Sequence, residues 1–312
     1  MAHFHTFFQG PALGVTERAC LASFIAHGHA LRLYTYDPIE VPAGVQRSDA
    51  SAVIPKAERD AFFAMAPDRV SQFSNGFRFR MLQDGGWWVD TDVLCLSADV
   101  PDDEIVLGWE TEATIGSAVM RFPPKHPVIA AAGEFWAANR HVPTWGHTGP
   151  RLVTRLVREL GFTDRVAPLK SLYPIGWDDA LAPFDPGRRE EVAALTKGRP
   201  FLHLWNSSLF FMSVGRHVLA PRGSYLRAAI DRHLGDTDMP DVPFISAILR
   251  AVQDRHDLMN QHARRADEAC AKVEQLVQDQ KCLEAELTRL QAAHDALRAN
   301  RTVRLLQKLG WA

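Results

Sequence analysis

The sequence predicts an α/β domain with a central, mostly parallel sheet, followed by a helical coiled coil. Short apolar runs alternate with helical patterns through residues 1–255, which carry nearly all the proline, glycine and tryptophan. Residues 260–300 contain neither proline nor glycine and change to a heptad pattern, and residues 301–312 read as a basic amphipathic tail. With 312 residues, 46% of them hydrophobic, the chain can bury one large core beside such an appendage.

A strand–helix–strand unit opens the α/β region. An apolar strand at His3–Phe8 precedes a helix at Thr16–His27, which Thr16 would cap, and a second strand follows at Ala30–Tyr36. This start suits a nucleotide-binding sheet, although many other folds share it. Further strands are predicted at Ile105–Trp109, Ala118–Phe122 and Pro200–Trp205, and further helices at Pro127–Asn139 and Pro150–Leu160.

A helix at Phe73–Asp84 leads into the segment with the strongest functional pattern. Ser74 is placed to cap this helix, and Gly85-Gly86 would end it. A short apolar strand at Trp87–Val89 follows and runs into Asp90-Thr91-Asp92. The acidic pair therefore follows a strand that has a buried composition, not a polar loop.

The two carboxylates suggest a metal site. Residues i and i+2 of an extended chain point to the same side, so Asp90 and Asp92 can face one cation. Hard oxygen ligands suit Mg²⁺ or Mn²⁺, which can bridge the phosphates of a nucleoside diphosphate and offset the charge of a departing diphosphate. Two aspartates at this spacing also occur in surface turns, so the pair alone leaves both interpretations open.

The run around the pair resembles the glycosyltransferase family with a DXD sugar-binding region. That family includes yeast initiating mannosyltransferases, bacterial capsule and lipopolysaccharide enzymes, and glucosylating clostridial toxins. Its pattern, S-D-x-x-R, a helix and G-G-x-[YW]-x-D-x-D, is matched at Ser74, Arg78, Gly85, Gly86, Trp88, Asp90 and Asp92. Looser matches follow the family order at Phe8-Gln9-Gly10, Gly28-His29, Thr148-Gly149-Pro150 and His203-Leu204-Trp205-Asn206. Asn75 stands where the family usually has Asp, and the spacing from Arg78 to the glycine pair is one residue short.

The resemblance implies a metal-dependent glycosyltransferase on a GT-A type fold. The implied donor is a nucleotide-sugar, a UDP-sugar with a GDP-sugar as the alternative. The implied acceptor is a saccharide or glycolipid, as in polysaccharide biosynthesis. It also implies transfer with retention, in which the acceptor hydroxyl attacks the face that the diphosphate leaves.

Asp90, Asp92 and Arg78 are the predicted catalytic residues. Asp92 would bind the metal directly, and Asp90 would bind it through water or hold the donor sugar. Arg78 would fork onto phosphate, the alternative being an ion pair on the helix surface. His203 would complete the metal shell and favour Mn²⁺ over Mg²⁺, the alternative being a core histidine.

The remaining predicted contacts line the donor and acceptor. Phe8 would stack on the nucleobase, unless its ring belongs to the core. The predicted donor-binding set is Phe8, Gln9, Gly10, Ser74, Asn75, Arg78, Trp205 and Asn206. Glu110, Asp178 and Asp179 are candidate acceptor contacts.

The heptad pattern predicts a homo-oligomer through the coiled coil. Its positions are Ala266, Ala269, Val273, Leu276, Gln280, Leu283, Leu287, Leu290, His294 and Leu297. The alternative is one long amphipathic helix packed on the catalytic domain. The tail at residues 301–312 predicts either peripheral membrane contact or a docking end for a partner.

The bulk properties limit the function classes. A net charge of −2 and a pI of about 6.7 give no reason to expect nucleic acid as a partner. Four cysteines without metal-ligand spacing, and the lack of a signal-peptide pattern, predict a cytoplasmic protein, at most peripheral at the inner membrane face. Two rival interpretations stay open: an aspartate-based phosphohydrolase, and a coiled-coil scaffold with a decayed catalytic domain.

Overall fold

A mostly parallel sheet organises the first part of the chain, as the sequence predicts. In the computed structural model the described residues are 1–140, 147–207, 218–235, 242–243, 272–273, 275–297 and 308–310. The chain divides into two compact units, Met1–Ala251 and Val252–Ala312.

The strands of the first unit are β1 (His3–Phe7), β2 (Ala30–Thr35), β3 (Gln46–Asp49), β4 (Gly86–Val89), β5 (Val93–Cys95), β6 (Leu107–Gly108), β7 (Val119–Phe122), β8 (Val166–Ala167), β9 (Phe201–His203), β10 (Val218–Leu219) and β11 (Val242–Pro243). The central sheet has the order β3-β2-β1-β4-β7. β1 pairs in parallel with β2 and β4, and β2 pairs in parallel with β3. β7 pairs antiparallel with β4 at the edge. Because β1 and β4 are parallel neighbours, the residues that follow each of them lie at the same sheet edge.

The helices of this unit are α1 (Val15–Ala26), α2 (Lys56–Met65), α3 (Val70–Leu82), α4 (Pro127–Asn139), α5 (Pro150–Glu159), α6 (Arg189–Thr196) and α7 (Tyr225–Leu234). The helix predicted at Pro127–Asn139 has those bounds, and the helix predicted at Pro150–Leu160 ends one residue earlier. Both begin with proline at the first helical position, where a missing N–H costs nothing.

Two predicted helix caps are wrong. α1 begins at Val15 with Gly14 as its N-cap, and Thr16 is buried inside the helix. The Glu17 carboxylate accepts from the Gly14 N–H at 2.7 Å, which supplies the cap from within the first turn. α3 begins at Val70, so Ser74 lies inside that helix and cannot cap it.

The sheet separates two apolar layers, because successive strand residues point to opposite faces. Trp87 packs on the face covered by α1, α7 and the β5–β9 pair, and Trp88 packs on the face covered by α3, α4 and α5. Both indoles are at most 4% exposed, so this tryptophan pair belongs to the core. The core therefore holds β4 from both sides, directly before the acidic pair.

Several elements have weak sequence signals. The strand predicted at Ile105–Trp109 shortens to Leu107–Gly108, which pairs with β8. The strand predicted at Pro200–Trp205 shortens to β9, which pairs antiparallel with β5. The elements without a counterpart in the sequence prediction are β3, α2, β5, β8, α6, β10, α7 and β11.

The second unit contains a helix over residues 275–297. Its apolar heptad side chains are exposed, including Leu276, Leu283, Leu290 and Leu297, each at 58–66%. One helix does not show a coiled coil, so self-association stays a prediction. Ala266, Ala269 and most of the tail at residues 301–312 lie outside the described residues. Over the described ranges, no helix has the length and apolar character to cross a bilayer.

Candidate active site

The acidic pair lies where β4 ends. Asp90 directly follows Val89, and its N–H donates to the carbonyl of Ala118 at 2.8 Å. The chain then turns, with the Val93 N–H donating to the Asp90 carbonyl at 3.1 Å, before β5 begins. The expectation that Asp90 and Asp92 share an extended strand is wrong, because a turn lies between β4 and β5.

The turn still brings both carboxylates to one centre, where His203 joins them. Pairing of β5 with β9 places Val93 opposite His203, and the Leu204 N–H donates to the Asp92 carbonyl at 2.9 Å. One potential ligand atom from each of Asp90, Asp92 and His203 lies within 4.8 Å of the other two. We call these three residues the acidic centre. They are the residues predicted as metal ligands from the sequence.

Asp90 is held by a buried guanidinium and an indole. Arg78 Nη2 donates to Asp90 Oδ1 at 2.5 Å, and Trp88 Nε1 donates to the same oxygen at 2.7 Å. Arg78 Nη1 also donates to Asn75 Oδ1 at 3.0 Å and to Ser117 Oγ at 2.7 Å. The Arg78 side chain is 4% exposed, so Asp90 balances its charge inside the protein and not on the helix surface. The fork of Arg78 onto phosphate stays a prediction.

Asp92 is held by His203 and by the chain after β9. His203 Nε2 lies 3.3 Å from Asp92 Oδ2, and the Asn206 backbone N–H donates to that oxygen at 2.8 Å. Burial raises the pKa of Asp92, but the charge and hydrogen bond of His203 outweigh it and leave the pKa lowered. Burial lowers the pKa of His203, but Asp92, with smaller help from Asp90 and Glu110, leaves that pKa raised. Both shifts favour the charged forms of the two groups, a carboxylate at Asp92 beside an imidazolium at His203.

The backbone of Trp205 shapes this arrangement. Its φ of 55° is left-handed, a conformation that is costly for a bulky residue. The indole N–H donates to the Ile175 carbonyl at 2.9 Å, and the ring centroid lies 4.0 Å from that of His203. These contacts hold a tight turn in which His203 and Asn206 both reach Asp92. Trp205 is buried, and its predicted contact with donor or acceptor stays a prediction.

The other predicted donor residues lie at or near the same sheet edge. Gln9 and Gly10 follow β1, and Gln9 Oε1 is buried without a hydrogen-bond partner among the described residues. Phe8 is 6% exposed and packs in the core layer on the α1 side, which is the alternative that the sequence left open. Asn75, on α3, donates a hydrogen bond from Nδ2 to Thr148 Oγ1 at 3.5 Å. Ser74 lies beside it on the same helix.

Three supporting residues were missed or only partly recognised. Ser117 and Tyr173 have no motif around them; Tyr173 Oη accepts from the Val119 N–H at 3.1 Å and so supports β7 beside the acidic pair. Glu110 was expected only as an acceptor contact. Burial, opposed by His203 and aided by Asp90, raises the pKa of Glu110 to about 7, so its carboxyl lies within electrostatic reach of the acidic centre.

The other two candidate acceptor residues, Asp178 and Asp179, lie on a short helical turn and are not part of the acidic centre. Asp179 accepts two hydrogen bonds from Arg188, at 2.5 and 2.7 Å, and Arg188 also pairs with Glu191 at 2.7 Å. This is a half-exposed ion-pair network around a short helical turn. The Asp179 carboxylate is engaged with Arg188, and its contact with an acceptor stays a prediction.

Sequence comparison finds partial similarity to glycosyltransferases. Residues 121–220 match a family described as the alpha 1,4-glycosyltransferase conserved region, and this range contains Thr148, His203 and Trp205. The mouse lactosylceramide 4-alpha-galactosyltransferase is 27% identical over 168 residues, or 49% of this chain and 45% of that protein. The human enzyme of the same name is 26% identical over 39% of this chain and 37% of that protein. The chain thus spans under half the length of these relatives.

Solved structures of glycosyltransferases are also similar in part. The PaToxG glycosyltransferase is 12% identical, with a TM-score of 0.41 over 53% of this chain and 72% of that one. GlyE from Streptococcus pneumoniae is 11% identical, with a TM-score of 0.33 over 65% of this chain and 54% of that one. The sequence matches confirm the predicted resemblance to a glycosyltransferase family. They lend no support to the phosphohydrolase or scaffold alternatives.

Proposed function

We propose that this chain is a metal-dependent glycosyltransferase of GT-A type that moves a sugar from a UDP-sugar to a saccharide or glycolipid, with retention. The observation that carries the proposal is the acidic centre, in which two carboxylates and one imidazole meet at the carboxyl edge of the sheet. In open sheets with parallel strands, ligands bind at this edge. The family resemblance supplies the reaction class, and the centre supplies the site for it.

The donor set of the acidic centre fits a divalent cation. Among the described hydrogen bonds, both to the Asp90 side chain fall on Oδ1, which leaves Oδ2 for a ligand. His203 Nδ1 is buried without a hydrogen-bond partner among the described residues, and Nε2 faces Asp92. Two carboxylates with one imidazole suit Mn²⁺ better than Mg²⁺, which prefers oxygen ligands throughout. When bound, the cation would neutralise charge on the departing diphosphate.

The protein groups around the centre would orient the reactants. Arg78 and Trp88 fix the Asp90 carboxylate, and the Asn206 N–H fixes that of Asp92, so neither has to reorganise during transfer. In transfer with retention, the bond between the sugar C1 and the diphosphate oxygen breaks while the acceptor oxygen bonds to C1 on the same face. The acceptor proton passes to the departing diphosphate oxygen, and no separate carboxylate base is needed.

The relatives suggest the first substrates to test. Their name describes transfer of galactose to lactosylceramide, so UDP-galactose is the first donor and a lactose-terminated glycolipid the first acceptor. The substitution of Asn75 for the Asp of the family pattern bears on this choice. Asn75 Oδ1 accepts from Arg78, so the amide retains a structural hydrogen bond without adding a charge near the donor.

The test is release of nucleoside diphosphate from a panel of UDP- and GDP-sugars, with Mn²⁺, Mg²⁺ or EDTA. We expect the wild type to hydrolyse one donor slowly in the presence of metal. Asp92→Asn should reduce this at least about 100-fold, since it weakens both the cation site and the His203 pair. The control is Asp103→Asn, an exposed aspartate, which should behave as wild type. Wild-type release that is unaffected by EDTA or by Asp92→Asn would refute the proposal.

The assembly and location of the protein are also proposed here. We infer self-association through residues 260–300, because the described apolar heptad positions at 275–297 are exposed to solvent. Peripheral membrane contact through residues 301–312, and a cytoplasmic location, are proposed from composition alone. Sedimentation of the full chain at micromolar concentration tests the first of these, and a monomeric mass would refute it.

A further inference from the structure

The solvent side of α5 carries a row of arginines that the acidic centre does not use. Arg151, Arg155 and Arg158 are exposed and recur every three or four residues, while the residues between them are buried against the sheet side. Such a row on one helix face is often only a solvated surface. Here it also borders two cavities and touches a loop that reaches the acidic centre.

The cavities lie side by side along α5. One, of about 370 Å³, is lined by Ala113, Thr114, Arg151, Thr154, Arg155, Arg158 and Glu159. The other, of about 160 Å³, is lined by Phe135, His147, Arg151, Leu152 and Arg155. Because Arg151 and Arg155 line both, the two form one groove, which we call the α5 groove. Its walls combine cationic, hydroxyl and aromatic groups, and the larger cavity is of a size that holds a small ligand.

Two of the guanidinium groups are held in place on aromatic rings. The Arg155 guanidinium lies 4.9 Å from the ring centroid of Phe135, and that of Arg158 lies 5.5 Å from the ring of Trp109. Arg155 also bonds Glu159 through Nη1 at 3.2 Å, which occupies one of its five N–H groups. Stacked guanidinium groups lose little further freedom when they bind an anion, so the groove is prepared for carboxylate or phosphate oxygens.

A short loop connects the α5 groove with the acidic centre. The Glu110 N–H donates to the Thr114 carbonyl at 3.0 Å, which closes the loop, and Arg158 Nη2 donates to the Ala113 carbonyl at 3.1 Å. The Ile115 N–H donates to Thr154 Oγ1 at 2.9 Å, and Thr154 lines the groove. Ser117, two residues further along the loop, accepts from Arg78, which holds Asp90. Two residues span at most about 7 Å between Cα atoms, so the groove and the acidic centre are close neighbours.

We propose that the α5 groove binds the anionic part of the acceptor, a saccharide chain with carboxylate or phosphate groups, while its terminal sugar reaches the acidic centre. This deepens the proposed function and rests on it. A concave groove lined by arginine, threonine and phenylalanine suits hydroxyl-bearing rings with acidic substituents. A membrane surface would instead be met by a helix that presents apolar side chains beside its basic ones.

The test is direct binding of defined oligosaccharides, without donor or turnover. The probes are a galacturonic acid tetramer and its carboxyl-reduced form, the neutral galactose tetramer. We expect wild type to bind the acidic tetramer at least about tenfold more tightly than the neutral one, with the difference shrinking as salt is added. The double variant Arg151→Gln/Arg155→Gln should abolish that difference. Arg165→Gln, an arginine at 67% exposure outside the groove, should retain it.

The result has separate consequences for the groove and for the proposed function. Equal binding of the acidic and neutral tetramers by wild type, or an equal loss in Arg165→Gln, would overturn the groove proposal. So would binding to phosphatidylglycerol vesicles that depends on Arg151 and Arg155 while the tetramer fails to bind. Donor hydrolysis without acceptor should be the same in all these variants. Absence of donor hydrolysis in the wild type would therefore count against the proposed transferase function and leave the binding result for the groove standing.

Discussion

Replacement of Arg78 would decide between two roles for this residue. From the sequence, Arg78 is expected to fork onto phosphate. In the structure its guanidinium donates to Asp90, Asn75 and Ser117, so it serves first to hold an acidic ligand in place. The informative variants are Arg78→Met, which preserves the apolar stem, and Arg78→Lys, which preserves the charge but not the planar fork.

The loss of stability in Arg78→Met follows from burial of the pair. Breaking a buried ion pair by removing one partner typically costs about 3–5 kcal/mol, because the other charge stays behind. Asp90 keeps the hydrogen bond from Trp88 and is 26% exposed, so water relieves part of this penalty. We therefore expect about 3 kcal/mol for Arg78→Met. Arg78→Lys should lose about half of that, since one ammonium cannot reach all three acceptors.

The matched control is Arg80→Met on the same helix. Arg80 bonds both oxygens of Glu58, at 2.8 and 2.9 Å, but its side chain is 35% exposed. Arg140 also holds Glu58 at 2.8 Å, so the loss should be about 1 kcal/mol or less. Urea unfolding of the three variants measures these differences, provided that the slope with denaturant is unchanged.

Binding of Mn²⁺ alone, measured calorimetrically, separates the two roles of Arg78. If Arg78 positions Asp90, its replacement by Met should weaken Mn²⁺ binding about 10- to 100-fold, even without any nucleotide. A residue that acts only on phosphate should leave metal binding unchanged and weaken nucleoside diphosphate binding. Unchanged Mn²⁺ affinity together with a stability loss below about 1 kcal/mol would refute the holding role.

Two further predictions concern packing and pH. A Cβ on Gly76 would lie 2.1 Å from an indole carbon of Trp136, so Gly76→Ala should destabilise the fold by about 1–3 kcal/mol. On the facing helix, Gly133→Ala meets its nearest atom at 3.6 Å and should stabilise by up to about 1 kcal/mol in the same urea assay. In EDTA, the stabilising effect of the raised pKa of His203 is complete below pH 6.5 and is lost as the pH rises through the raised pKa. The stabilising effect of the lowered pKa of Asp92 is complete above pH 3.8 and is lost as the pH falls through the lowered pKa. The metal-free protein should therefore unfold at lower temperature at pH 8 than at pH 5, and His203→Gln should remove most of this difference; an equal difference in that variant would contradict the pair.

Local patterns predicted the elements that have a local cause. The helix bounds at Pro127–Asn139 follow from proline at the first position, and the first two strands follow from apolar runs between turn residues. The predicted start of α3 is too late in the sequence, because the prediction used Ser74, a polar residue, as the helix cap. In the structure the helix runs one turn further back, where the Gln72 carbonyl accepts from the indole of Trp136 at 2.8 Å. A contact over that sequence distance leaves no local sign.

At the candidate site too, residues within a local motif could be predicted, and residues brought in by long-range packing could not. The family pattern identified Asp90, Asp92 and His203, although the geometric reason given for the acidic pair was wrong. Ser117 was not found, because a lone serine becomes a partner of Arg78 only when β7 packs beside β4. Sequence spacing predicts which side chains share an element, whereas the strand pairing decides which elements share a site.

The pairing of β5 with β9 is the step on which the acidic centre depends. It joins residues more than a hundred positions apart, and without it His203 would have no reason to lie near Asp92. The left-handed turn at Trp205 then directs the Asn206 N–H to the same carboxylate. The region matched by the alpha 1,4-glycosyltransferase family begins after the acidic pair and includes β9 and this turn. The two halves of the centre therefore come from different stretches of the chain, one recognised by its aspartates and the other by its family match, and the fold makes them one site.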